Sequence, residues 1–146
     1  MGEFRKLSDT FYASPQVSPQ DISEAAAMGM ALVVNNRPDG EAADQPEGAA
    51  IEAATRAAGM DYLAIPIGSA GFSEPQVERL QDALASAQGP VLGFCRSGTR
   101  STLLWSLAQA RSGGDPDAIA EAAASVGYDV SPVRPAMDMF AARAAK

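Results

Sequence analysis

Three short apolar runs govern what this chain can fold into: "ALVVNN" (residues 31–36), "YLAIPI" (62–67) and "PVLGFC" (90–95). Each is too short for a helix and is separated from the next by a longer stretch of helical period. Strands separated by helices imply right-handed crossovers, hence a mainly parallel sheet with helices on both faces. Upstream, "FRKLS" and "FYAS" turn around Asp9 and read as a hairpin at a sheet edge, for four to five strands in all. Ser18 and Pro19 open the first helix and Gly29 closes it; Ser73 caps the helix that starts "SEPQVERL". "STLLWSLAQARSGG" is an apolar helix in which Leu103, Leu104, Trp105 and Leu107 read as core. Asp115 and Pro116 open another helix, and the tail "VRPAMDMFAARAAK" a last short one; the six methionines read as core filler, with an interface as the alternative for Met137 and Met139. The length of 146 residues predicts one α/β domain over residues 1–146.

Composition removes whole classes of function. There is no histidine and a single cysteine. That leaves no serine–histidine triad and no ligand set for zinc, copper or iron–sulfur, so neither metal nor cofactor is expected. A net charge of −7 argues against nucleic acid and anionic membrane surfaces as partners. No run approaches the roughly 18 apolar residues of a span, and "MGEFRKLSDTFY" lacks the apolar core of a signal peptide. The Met-Gly start does not make a myristoylation signal, because Arg5 and Lys6 stand where a serine or threonine is wanted. A lone cysteine suits a reducing compartment, and the expected location is cytoplasmic.

In open parallel sheets ligands sit beyond the carboxyl ends of the strands. Three loops occupy that position: "NNRPDGE", "PIGSAGF" and "CRSGTRS". A cysteine closing a strand is more often a small buried hydrophobe than a reagent. The surroundings of Cys95 argue for the reagent. Ser97, Gly98 and Thr99 let the backbone curl so that successive N–H groups face one centre. A helix then opens, and its N-terminus favours an anion, whether an oxyanion or the Cys95 thiolate. Arg100 offers a planar two-pronged donor, and Ser101 a hydroxyl that could donate to the sulfur. Arg96 reads either as a substrate contact or as a solvated rim residue. Arg37 reads either as an anion contact or as a solvated loop residue.

The loop resembles the active-site loops of cysteine-dependent phosphatases and of rhodanese-type sulfurtransferases. The wider chain resembles the phosphatase-like domain of the bacterial beta-lactamase-hydrolase-like family. The likeness rests on "KLSDTFYASPQVSPQDI", "VVNNRPDGE", "PIGSAG", "CRSGTRS" followed by "LLW", and "VGYDVSP", and covers about residues 3–132. It implies a fold similar to the dual-specificity phosphatases. In some relatives the domain is fused to a metallo-beta-lactamase-fold partner linked to sulfide oxidation, so a persulfide dioxygenase of that fold is an implied partner.

Two departures bear on the chemistry. Similar phosphatases have one more residue between cysteine and arginine than the four here, 96–99; rhodanese loops have the shorter spacing. Similar phosphatases also protonate the leaving oxygen with an aspartate from a neighbouring loop, and "PIGSAGF" holds no carboxylate. Asp39 or Glu41 could substitute, although Pro38, Asp39 and Gly40 also make a plain β-turn. Both departures favour sulfur, because persulfide or thiosulfate transfer needs no strong acid. The expectation is therefore a sulfurtransferase forming a Cys95 persulfide. A phosphatase working through phosphocysteine is the alternative, and a non-catalytic anion- or partner-binding module the third. The expected catalytic set is Cys95, Arg100, Ser101 and Asp39. Arg96, Ser97, Gly98, Thr99 and Arg37 would bind a small anion: a persulfide, thiosulfate or phosphate ester.

Overall fold

The computed structural model describes residues 3–146; the Met-Gly start considered for acylation lies outside the described residues. Five strands, β1 (Arg5–Ser8), β2 (Phe11–Ser14), β3 (Leu32–Asn35), β4 (Asp61–Ala64) and β5 (Val91–Phe94), form one sheet in the order β1-β2-β5-β3-β4. Only β1 and β2 pair antiparallel; β2–β5, β5–β3 and β3–β4 are parallel. The helices are α1 (Pro19–Ala27), α2 (Gly48–Ala57), α3 (Glu74–Ser86), α4 (Thr99–Arg111), α5 (Pro116–Ser125) and α6 (Arg134–Ala144). The expected mainly parallel α/β sheet with helices on both faces is thus present.

Period-two alternation divides the core. Val33, Leu92 and Phe94 face one way and pack with Ile22 of α1 and Ile51 of α2. Leu32, Val34 and Val91 face the other and pack with Val77 of α3, Leu104 and Trp105 of α4, Ile119 of α5 and Met137 of α6. β3 and β5 are buried at every position, as strands covered on both faces must be. Gly93 interrupts β5 because a Cβ there would stand 2.6 Å from the Phe11 ring. Met137 is wholly buried and fills the core, and Met139 is exposed.

The helix starts follow local chemistry. Ser18 Oγ accepts the Asp21 N–H and Asp21 Oδ2 accepts the Ser18 N–H, a reciprocal cap on α1. At α3, Gln76 Oε1 accepts the Ser73 N–H. β4 stops at Ala64, short of the expected "YLAIPI", because Pro66 has no N–H for a ladder. The chain stays close to β3 even so, with Ile65 N–H on Asn35 O and Ile67 N–H on Asn36 O.

Because β2 runs parallel to β5, a fourth loop joins the carboxyl edge beside the three expected ones. It holds Gln16, whose N–H donates to Arg96 O at 3.2 Å. The hairpin was readable from its residues, but the direction of its second strand relative to β5 was not.

Candidate active site

Cys95 directly follows β5, and α4 begins four residues later at Thr99. Its thiol is 0% exposed. Burial alone suits a core cysteine as well as a shielded nucleophile. The backbone separates the two: the Gly98 N–H donates to Cys95 Sγ at 3.1 Å. That hydrogen bond, and the start of a thirteen-residue helix beside it, place positive potential on the sulfur.

Gly98 achieves this with φ of +91°, a conformation L side chains rarely adopt. A Cβ there would overlap the Tyr128 hydroxyl and stand 3.0 Å from Tyr128 Cζ. Tyr128 in turn donates to Ser97 O at 3.0 Å, while the Arg5 guanidinium lies 4.9 Å from its ring centroid. Burial pushes the Tyr128 phenol above its ordinary range, so it stays a donor at neutral pH. Thr102 closes the first turn, its hydroxyl on Gly98 O at 2.9 Å.

Arg100 ties three loops together. Its Nη1 donates to Glu41 Oε2 at 2.7 Å and to Ile67 O at 2.8 Å, and its Nη2 to Glu41 Oε1 at 2.9 Å. Hydrogen bonding to Glu41 raises the Arg100 pKa, burial opposes it, and the charge of Cys95 adds to the rise. Arg100 sits in the first turn of α4, two residues after the Gly98 that bonds the sulfur. Glu41 is also held by Arg37, whose Nε donates to Oε1 at 3.0 Å. The Arg100 hydrogen bonds, reinforced by Arg37 against the cost of burial, hold the Glu41 carboxyl down to about 2.

The remaining expected residues fall in distinct places. Arg37 is buried, not solvated, and is engaged by Glu41, by Gln16 Oε1 at 3.0 Å and, through its N–H, by Asn35 Oδ1 at 2.9 Å. Ser101 is buried, and its hydroxyl donates to Asn36 Oδ1 at 2.7 Å rather than to the sulfur. Asn36 Nδ2 donates onward to Ile65 O at 2.9 Å, locking α4 to the loop after β4. Asp39 Oδ1 accepts the Gly48 N–H at 2.8 Å, which commits its carboxylate to the start of α2. Arg96, Ser97 and Thr99 are exposed at the rim, with the Ser97 hydroxyl bonded to Thr99 Oγ1 at 3.0 Å. Gln16, Asn36 and Tyr128 had no assigned role in the sequence. Their only signal was their presence in the motifs "SPQVSPQDI", "VVNNRPDGE" and "VGYDVSP".

A family model for the phosphatase-like domain of beta-lactamase hydrolase-like proteins matches residues 3–112. The chain belongs to that family. A beta-lactamase hydrolase-like protein of Agrobacterium fabrum is 36% identical over 104 residues, 71% of this chain and 24% of that protein. The chain spans about a quarter of the length of the curated relatives it matches. A solved structure of a candidate phosphatase from Neisseria meningitidis superposes with a TM-score of 0.80 at 32% identity, covering 92% of this chain and 96% of that one. TpbA of P. aeruginosa, crystallised in complex with pTyr, superposes at 0.68 with 20% identity, covering 98% and 90%. At that identity the likeness is one of fold. The beta-lactamase hydrolase-like phosphatase domain therefore has, in this chain, the cysteine-phosphatase architecture.

Proposed function

We propose that this chain is a cysteine-dependent phosphatase that hydrolyses phosphate monoesters through a phosphocysteine on Cys95. The observation that carries the reading is the Gly98 N–H aimed at Sγ at the mouth of α4, with Arg100 in the first turn of that helix. In this reading the Cys95 thiolate attacks phosphorus. The open N–H groups at the start of α4 take the equatorial oxygens. The three Arg100 bonds use both Nη1 protons and one on Nη2. The Nε–Nη2 edge remains to fork two of those oxygens. Glu41 and Arg37 fix the angle of that fork and do not touch substrate. The relatives support phosphorus over sulfur: a candidate phosphatase among them, and a protein of the same fold crystallised with pTyr.

Sulfur transfer is the second reading. It is favoured by one specific observation, the four-residue spacing from Cys95 to Arg100, which makes a tighter nest than the phosphatase loops it resembles. A single pair of assays separates the two. The phosphatase reading expects phosphate release from aryl phosphates that Cys95→Ser abolishes, and no lasting adduct after thiosulfate. A Cys95 persulfide that passes to cyanide, with no phosphate release, would overturn it in favour of sulfur transfer.

A further inference from the structure

We infer that this site expels its leaving group without protonating it, and so acts on aryl phosphates and comparably activated phosphate esters, not on alkyl esters. The inference rests on the phosphatase reading and narrows its substrate class. The carboxylate that reaches Arg100 is fully engaged, and Asp39, its neighbour in the loop, accepts a hydrogen bond as well. Glu41 is the carboxylate at the site, and both of its oxygens are taken: Oε2 by Arg100, Oε1 by Arg100 and Arg37. A carboxylate clamped by two guanidinium groups stays ionised and has no proton to give. Asp39, two residues away, spends its Oδ1 on the Gly48 N–H at the start of α2. The loop after β4, residues 65–72, carries no acid. Glu74, at the start of α3, is bound to Arg111 and Arg143, at 3.0 and 2.8 Å. Ser101, the buried hydroxyl nearest in sequence, already donates to Asn36. Tyr128 donates to Ser97 O.

The step balances without an acid when the leaving oxygen is a weak base. The Cys95 thiolate forms the S–P bond, the P–O bond breaks, and its electron pair departs with the phenolate. Water then attacks phosphorus, the S–P bond breaks, and dihydrogen phosphate and the thiolate are released. An alkoxide is too basic to leave this way. General acid catalysis typically supplies about a hundred- to ten-thousand-fold, which is the factor this site forgoes on a basic leaving group.

The test is kcat/KM for dinitrophenyl, nitrophenyl, phenyl and ethyl phosphate, on the whole chain and on Glu41→Gln and Asp39→Asn. The expected result is a fall of about a hundred- to ten-thousand-fold from dinitrophenyl to phenyl phosphate and no turnover of ethyl phosphate. Both variants keep the same dependence on the leaving group, Glu41→Gln at a uniformly lower rate. Near-equal rates across the aryl series would overturn the inference while leaving the phosphatase reading intact. A dependence that steepens in one variant would also overturn it, and would name that residue as the acid. No Cys95-dependent turnover of any ester, dinitrophenyl included, would refute the phosphatase reading and the inference with it.

Discussion

Replacing Gly98 by alanine tests whether the cysteine loop is fixed by its backbone. The native φ of +91° costs an L residue about 1–2 kcal/mol. The new methyl overlaps the Tyr128 hydroxyl, so the tyrosine has to move. Its bond to Ser97 O is then lost, at about 0.5–1.5 kcal/mol. The Arg5 contact on its ring weakens too, at about 0.5 kcal/mol. The expected total is about 2–4 kcal/mol, or a Tm drop of roughly 5–15 °C for a chain of this size. Thermal melts of Gly98→Ala, Tyr128→Phe and the double variant measure it. In the Tyr128→Phe background the colliding hydroxyl is gone, so the alanine should cost less than in the parent: the backbone term of about 1–2 kcal/mol and the remaining close contact with the ring carbon Cζ. The same variants, treated with iodoacetamide with and without phosphate, report on the cradle. Gly98→Ala should lose the protection of Cys95 by phosphate. A Gly98→Ala protein that melts within about 2 °C of the parent and keeps that protection would refute this description of the loop.

Three further perturbations separate structural from chemical roles. Ser101→Ala strips the buried Asn36 Oδ1 of its donor and should cost about 1–3 kcal/mol in urea unfolding; an unchanged midpoint with a collapsed rate would instead make Ser101 a sulfur partner. Asp39→Ala removes the acceptor for the Gly48 N–H and should lower stability by about 0.5–1.5 kcal/mol with kcat retained; loss of kcat alone would contradict its role in tying the loop to the start of α2. The Glu41 carboxyl, held at about 2 in the fold against an ordinary 4.5, stabilises the protein above pH 4.5, and that contribution drains away as pH falls towards 2. Glu41→Gln should therefore melt about 2–4 °C below the parent at pH 7, a contribution of about 1 kcal/mol after solvent screening, and converge with it near pH 2; parallel curves would show that the ion pair contributes nothing.

Much of the fold was legible in the sequence because short apolar runs and helix caps are local signals. β3 and β5, buried on both faces, read as unbroken apolar strings, and Ser18 announced α1 with its own hydrogen bond. The end of β4 was less legible. Ile65 and Ile67 look like strand residues, and only the bonding pattern shows the ladder assignment ending before Pro66. The cysteine loop was legible as a motif; its supports were not. Asp39 and Glu41 lie two residues apart in one acidic loop, and nothing local says which turns towards Arg100 and which towards α2. That choice depends on Arg37, which the sequence left open between an anion contact and a solvated residue, and which is buried against Glu41. Gln16 and Tyr128 reach the loop from 79 and 33 residues away from Cys95 in sequence, and such contacts depend on sheet order, which a single sequence does not display.

The central claim is that Cys95 is a nucleophile that takes up phosphorus. Rapid acid quench of the chain mixed with dinitrophenyl phosphate, followed by intact and peptide mass spectrometry, tests it most directly. The expected result is a transient gain of one phosphoryl group on the peptide holding Cys95, formed no slower than turnover and absent in Cys95→Ser. Turnover that proceeds with no such adduct, or that survives Cys95→Ser, would contradict it.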